Sequence, residues 1–468
     1  MTAAGARWVS IDELVQRYRA RDLSPLEVTR AVLDQITAVN DRLRSFVLVL
    51  EGRALEEAQD SERRYRAGTP RGPLDGVPIS VKDLFDVAGL PTTAASRILA
   101  GSVARADSAV MERLRAAGVV MLGKTNLHEF AFGPTGVPSH FGSAVNPWNV
   151  AHVAGGSSSG SAAAVAAGLC FGSIGSETGA SVRRPAAFCG VVGFKPTAGR
   201  ISRHGMIPCA WSLDAVGVFA RTVSGAAGLV QALAGHDERD PGSSRRSYPE
   251  LAGDEAGSAA MRIGVPRAYL VDIDDDARQA FTAAVEALKK LGARVEDVDL
   301  PGVRFAAITS TLVAATEVTA YHRRWLHERA HDYSDDVRGR LYLGAGITAS
   351  EYLLGQRARR LIAAEVHHTF RTVDLLVAPT APGAAPSIDA GVPAIKDRAL
   401  EVGTQHCNLV RLPSLLGLPT VSVPCGWSAG GLPLGMQLIG RPFEEPTVIR
   451  MARAYEAIAP WADRRPPC

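Results

Sequence analysis

Short apolar runs alternate with amphipathic stretches along this chain, and the alternation predicts strands and helices in turn. Val28, Val32 and Ile36 recur at helical spacing behind the stretch Ser24-Pro25-Leu26-Glu27, which is typical of a helix N-terminus. The further elements predicted in this way are strands at 119–122, 261–266, 293–301, 373–380 and 419–426, and helices from about Asp107 to Gly118 and from about Asp275 to Leu291. Such an order predicts an α/β fold with a largely parallel or mixed sheet and helices on both faces.

The length of 468 residues, 46% of them hydrophobic, allows one large domain or two to three smaller ones. Residues 238–258 are polar and rich in turn formers, so we expect a surface excursion there between two halves. The six cysteines are widely spaced without a C-x-x-C, which favours reduced thiols over a disulfide framework. Neither a secretory signal nor an apolar run of about 18 residues is visible, so the cytoplasm is the predicted location and no membrane partner is expected.

Charge and histidine spacing narrow the function classes. Lys plus Arg number 51 against 48 Asp plus Glu, and a formal charge of +3 predicts no nucleic-acid partner. The histidines of the C-terminal half form no H-E-x-x-H pattern, so neither a metal site nor any other cofactor is expected.

Residues 155–161 read GGSSSGS and lead into the apolar stretch AAAVAAG. A flexible linker, a phosphate-binding turn and a serine hydrolase all use such a run. The nucleotide patterns G-x-G-x-x-G and G-x-x-x-x-G-K-[ST] are absent, and Ser181, in TGASV, lacks the G-x-S-x-G of an α/β-hydrolase. A serine nucleophile served by a different base remains.

Lys82 ends the strand-like run ISVK and precedes Asp83. Such a pair is commonly solvated at the surface. The alternative is a buried, neutral lysine that accepts a proton from a serine. Neither Lys82 nor the serine run decides alone, but together they favour catalysis.

Beyond these two features, the sequence resembles the amidase signature family along nearly its whole length. The matching stretches are GVPISVKD at Lys82, GKTNLHEFAFG, GGSSSGS, SETGASVRRPAAFCGVVGFKPT and GGLPLGMQLIGRPF. The resemblance implies the amidase signature fold, a large mixed β-sheet covered by helices on both faces. It also implies one amidase domain over 1–468, with the signature core at about 70–230 and a C-terminal half, about 259–468, that completes the sheet and the substrate pocket.

Carried over residue by residue, the resemblance implies a catalytic set of Lys82, Ser157 after a cis peptide bond, and the nucleophile Ser181. It further implies an oxyanion hole from the N–H groups of Thr178, Gly179, Ala180 and Ser181, orienting roles for Ser158 and Arg183, and pocket walls that include Ala131, Phe132, Gly133 and Trp211. Two departures stand out, because Glu177 replaces the usual aspartate and Ala180 the usual glycine. Alanine adopts φ > 0 less freely, so either the turn does not need it or the oxyanion hole is reshaped.

The expected function is therefore that of an amidohydrolase acting on carbon–nitrogen bonds of linear amides. The stretches AFGPTGVP and MIPCAW are apolar, without a charge suited to the α-groups of glutamine, which predicts uncharged amides, anilides or carbamates as substrates. Two alternatives stay open: the glutaminase subunit of a tRNA-dependent amidotransferase, and an inactive binding homologue. The partner expected is a small-molecule substrate, with a homodimer left open.

Overall fold

The computed structural model describes residues 2–251, 260–389, 405–459, 461 and 463–467. Its strands are β1 Phe46–Val49, β2 Pro78–Lys82, β3 Val120–Thr125, β4 Val145–Asn146, β5 Asn149–Val153, β6 Gly172–Glu177, β7 Val192–Lys195, β8 Ala215–Ala220, β9 Arg262–Pro266, β10 Arg294–Val298, β11 Leu375–Pro379, β12 Thr420–Trp427 and β13 Pro433–Gly440.

The helices are α1 Ala3–Ala6, α2 Ile11–Ala20, α3 Pro25–Leu43, α4 Glu51–Ala67, α5 Ala109–Ala117, α6 Ser159–Ala166, α7 Arg183–Cys189, α8 Val223–Leu233, α9 Asp275–Lys290, α10 Ala306–Glu328, α11 Asp335–Ala345, α12 Ala349–Thr369, α13 Gln405–Leu415 and α14 Glu445–Ile458. In the described part of the chain, no helix is both long enough and apolar enough to cross a membrane.

Eleven of the described strands form one mixed sheet in the order β1-β3-β2-β6-β8-β7-β12-β13-β11-β9-β10. β3, β2 and β6 run parallel to one another, and so do β11, β9 and β10, while the strands between these groups pair antiparallel. Every residue of β2, β6, β8 and β13 is buried. Because alternate side chains point to opposite faces, both faces of the sheet are covered. The predicted fold class is confirmed.

The predicted elements are present with small shifts at their ends. Ser24 caps α3 by accepting hydrogen bonds from the N–H groups of Leu26 and Glu27. The helix predicted from Asp107 begins later because Ser108 is its cap, and it ends where Gly118 adopts a φ of 78°. The excursion predicted at 238–258 lies partly outside the described residues, and up to 251 it contains turns and irregular backbone.

Two parallel neighbours in the sheet position the serine-rich region. β2 ends at Lys82 and β6 ends at Glu177, four residues before Ser181. Because β2 and β6 are paired and parallel, their carboxyl ends meet at the same edge of the sheet. Helix α6 begins at Ser159 and packs against both strands, so the serine run lies at this edge as well.

Candidate active site

Lys82 lies at the centre of the serine cluster and is completely buried. Its Nζ is hydrogen-bonded to Ser157 Oγ at 2.7 Å, to Ser158 Oγ at 2.9 Å and to Ser176 Oγ at 2.9 Å. The interpretation of Lys82 and Asp83 as a solvated pair is therefore wrong. Asp83 pairs instead with Lys124, whose Nζ lies 2.6 Å from its Oδ1, and both side chains of this pair are buried.

Burial lowers the pKa of Lys82 from its ordinary 10.5 to about 7, because an ammonium group loses its hydration in this position. Electrostatic interactions with Cys209, Asp214 and Glu177 act in the opposite direction but do not cancel the effect of burial. At neutral pH a substantial fraction of Lys82 is an uncharged amine. An uncharged amine has two N–H donors and one lone pair, so it can accept one proton from the hydroxyls around it.

A backbone hydrogen bond connects the serine run with the segment that carries Ser181. The peptide bond between Gly156 and Ser157 is cis. The N–H of Ser158 donates to the carbonyl oxygen of Ser181 at 3.3 Å, which holds the two serine segments side by side. Ser157 is completely buried, whereas Ser181 keeps 8% of its surface exposed. Of these two serines, only Ser181 is open to a molecule arriving from outside.

The turn that carries Ser181 leaves its amide groups unused. Ala180 has a φ of 140°, so the turn does adopt a conformation that favours glycine, and the alanine here bears some backbone strain. The N–H groups of Gly179, Ala180 and Ser181 donate to no other protein group among the described residues. Thr178 is held on the inner side, where its Oγ1 donates to Asp214 Oδ1 at 2.5 Å. A cluster of free, fixed N–H groups suits a developing oxyanion.

Glu177 and Arg183 form a buried pair behind the same turn. Arg183 donates to Glu177 Oε1, with the shortest nitrogen–oxygen distance at 2.7 Å, and both side chains are fully buried. Glu177 Oε2 accepts the N–H groups of Val182 and Arg183 at 3.0 and 3.1 Å. Burial by itself would raise the pKa of Glu177, but the positive charges of Arg183 and Lys195 hold it below its ordinary value. The longer acid at 177 thus caps the first turn of α7.

The four residues predicted to line the pocket differ in how far they are buried. Ala131 is buried, and its carbonyl oxygen lies 3.8 Å from Cys209 Sγ, so the loops around 131 and 209 meet. Gly133 lies against Gly156, where a Cβ would come within 2.9 Å of the Gly133 oxygen. Phe132 is partly buried, and Trp211 is 47% exposed. Their role in substrate binding stays a prediction.

Sequence reasoning missed three side chains at this site. Ser176 contacts Lys82, Asp214 holds Thr178, and the guanidinium of Arg411 on α13 lies beside Gly179. For Ser176 a signal was present, because it shares the stretch SETGAS with Ser181. Asp214 and Arg411 lie in other segments, and no local pattern links them to the serine run. Among the described residues, no group of three or more histidine, cysteine, aspartate or glutamate side chains is arranged to hold a metal ion.

Comparisons with known proteins identify the family. The Amidase family model matches residues 27–449, and the chain belongs to that family. It is an amidase-family enzyme, a hydrolase that acts on carbon–nitrogen bonds. The A subunit of glutamyl-tRNA(Gln) amidotransferase from Synechococcus sp. (strain JA-3-3Ab) is 40% identical over 96% of this chain and 91% of its own length.

Solved structures agree with this assignment. The same amidotransferase subunit from Thermotoga maritima has a TM-score of 0.82 at 32% identity, covering 97% of this chain and 95% of its own. A chain from a vestigial protein complex that reveals the evolutionary origins of an s-triazine catabolic enzyme has a TM-score of 0.89 at 33% identity, covering 98% of this chain and 100% of its own.

These relatives correct the predicted partners. The prediction of a small-molecule substrate without nucleic acid is contradicted, because the curated relatives are subunits of an enzyme named for glutamyl-tRNA(Gln). A formal charge of +3 is a sum over the whole chain. It reports neither a local surface nor what other subunits of an assembly bind, so it could not exclude such a partner.

Proposed function

We propose that this enzyme hydrolyses the side-chain amide of glutamine through an acyl-enzyme on Ser181, as the ammonia-supplying subunit of an amidotransferase acting on glutamyl-tRNA(Gln). The observation that carries the chemistry is the buried Lys82, with a pKa of about 7, hydrogen-bonded to Ser157 at 2.7 Å. The similarity to the amidotransferase subunits over nearly the full length of both chains supports the biological role.

The proton path follows from the hydrogen bonds at Lys82. Ser158 Oγ donates its proton to the Ser176 carbonyl oxygen at 3.2 Å, so it accepts an N–H from Lys82. The lone pair of the Lys82 amine is therefore left for a different hydroxyl. In the proposed reaction Ser157 gives its proton to Lys82 Nζ and takes the proton of Ser181. The Ser181 oxygen then attacks the amide carbon, and the N–H groups of residues 178–181 stabilise the oxyanion.

The second half of the reaction uses the same relay in reverse. The proton returns from Lys82 through Ser157 to the leaving nitrogen, and ammonia departs as the carbon–nitrogen bond breaks. Water then loses a proton to the relay, attacks the acyl-enzyme, and releases the carboxylate product and free Ser181. Glu177, Arg183 and Ser158 act in this scheme by holding the turn and Lys82 in position.

Three related expectations belong with this proposal. We propose that the described chain works as one amidase domain, because the strands of both halves belong to one sheet, in which β7 of the N-terminal half pairs with β12 of the C-terminal half. The cytoplasm remains its predicted location. Uncharged anilides and carbamates are the competing substrates, since the relay itself does not demand a particular acyl group.

The test compares ammonia release from glutamine with nitroaniline release from a neutral nitroanilide, using kcat/KM. We expect glutamine to be preferred at least tenfold. A fluorophosphonate should label the wild-type enzyme once, and a Ser181→Ala variant should show no adduct by intact-mass spectrometry. Preference for the anilide would overturn the amidotransferase role, and labelling of the alanine variant would overturn the nucleophile.

A further inference from the structure

Arg411 is a charged residue on an otherwise apolar part of α13. Its neighbours Val410 and Leu412 are buried in the hydrophobic core. Its guanidinium lies against the turn before Ser181: a Cβ at Gly179 would overlap Nη1 of Arg411 and would come within 2.8 Å of its Cζ. The absence of a side chain at 179 therefore leaves the space that the guanidinium occupies.

The position of Arg411 relative to Ser181 is fixed by the buried pair behind the turn. Arg183 donates to the carbonyl oxygen of Val410 at 2.7 Å and to Ser414 Oγ at 2.8 Å. Ser414 Oγ in turn donates to Glu177 Oε1 at 3.0 Å. The residues on both sides of Arg411 are thus bonded to the same two side chains that hold the nucleophile turn.

Arg411 differs from the fully buried arginines nearby in having no acidic partner among the described residues. Arg183 pairs with Glu177, and Arg200 pairs with Glu445 at 3.3 Å. In contrast, Nε of Arg411 is buried and has no hydrogen-bond partner in the described part of the chain. A buried donor of a cationic group is costly without a partner, and a carboxylate is the group that the planar fork of arginine pairs with best.

A second observation relates Arg411 to the loops that were predicted to line the pocket. The positive charges of both Lys82 and Arg411 act on the thiol of Cys209, lowering a pKa that burial has raised. Cys209 also contacts the Ala131 carbonyl. Arg411 therefore lies where the loops around 131 and 209 meet the nucleophile turn, within reach of a molecule bound at Ser181.

We propose that Arg411 binds a carboxylate of the substrate and makes the site selective for amides that carry one. This inference rests on the proposed acyl-enzyme at Ser181 and adds the substrate class that the pocket selects. The α-carboxylate of glutamine belongs to this class. Uncharged substrates were predicted from the apolar stretches at 131–138 and 206–211, and Arg411 lies in neither of them.

The experiment uses two primary amides of equal chain length, glutaramate and pentanamide, which differ in a terminal carboxylate. Ammonia release gives kcat/KM for wild type, Arg411→Met and Arg411→Lys. In Arg411→Met we expect kcat/KM for glutaramate to fall about 10- to 100-fold. For pentanamide we expect less than about a threefold change, because neutral substrates make no charged contact there. The Arg411→Lys variant keeps the positive charge but not the planar guanidinium, so it should show an intermediate preference for glutaramate over pentanamide.

The exposed Arg357 on α12 gives the matched control, since Arg357→Met removes an equal charge from the protein surface and should leave the ratio of the two substrates unchanged. Inhibition by glutarate gives a second readout, and its inhibition constant should rise in Arg411→Met only. If both amides lose activity equally in Arg411→Met, the residue is only structural and the inference is wrong. If wild type releases ammonia from neither amide nor glutamine, the proposed function fails instead.

Discussion

Replacing Lys82 by methionine should abolish amide hydrolysis and, at neutral pH, should not cost the stability expected of a core substitution. Lys82 is completely buried, and methionine has a similar length without a charge to desolvate. The folded protein now holds an amine whose pKa is about 7, against an ordinary 10.5. This lowering of the pKa means that a charged Lys82 destabilises the folded state by about 5 kcal/mol relative to the unfolded state.

The pH dependence of unfolding isolates this cost. Below pH 7, Lys82 is protonated in both the folded and the unfolded chain, and it adds no pH dependence. Between pH 7 and 10.5, only the unfolded chain keeps the proton, so the free energy of unfolding of the wild type rises with pH. The gain from pH 7 to pH 9 is about 2 kcal/mol. Lys195, whose pKa burial also lowers to about 7, is present in both proteins and cancels from the difference.

The assay is equilibrium denaturation in urea at pH 7, 8 and 9, followed by tryptophan fluorescence. The wild type should gain about 2 kcal/mol over Lys82→Met across this range. The exposed Lys290 at the end of α9 supplies a control, since Lys290→Met should differ from wild type by a constant amount. A pH-independent difference for Lys82→Met would show that Lys82 keeps its proton in the folded enzyme, and the proposed base would be lost.

Two further outcomes are expected. In the wild type, kcat/KM for ammonia release should fall about tenfold per pH unit below pH 7, because protonated Lys82 accepts no proton, and a flat profile between pH 5.5 and 7 would contradict this role. Arg183→Met should lower the free energy of unfolding by about 3–5 kcal/mol, because it leaves the buried carboxylate of Glu177 unpaired. The partly exposed pair of Arg53 and Glu57 offers the comparison, and Arg53→Met should cost less than about 1 kcal/mol in the same denaturation assay.

Local sequence patterns were enough to predict the helices and strands and several residues of the candidate active site. The cap at Ser24 and the terminating glycine at 118 act within one helical turn, so neighbouring residues suffice to predict them. The strands of the C-terminal half begin within one or two residues of their predicted positions for the same reason. Lys82 and Ser157 were both predicted from short stretches that resemble the amidase signature family. In the structure, Lys82 Nζ lies 2.7 Å from Ser157 Oγ.

Tertiary structure alone decided burial and the contacts made across the chain. Whether Lys82 faces water or the interior depends on the strands beside β2, and its lowered pKa follows from that burial. Arg411 reaches Gly179 because α13 is bonded to Arg183, more than 200 residues earlier in the chain. No periodicity or spacing encodes such a contact, since it arises only when distant segments pack together. For the same reason the composition, a property of one chain, wrongly predicted that this enzyme has no nucleic-acid partner, although its relatives are named as subunits of an amidotransferase for glutamyl-tRNA(Gln).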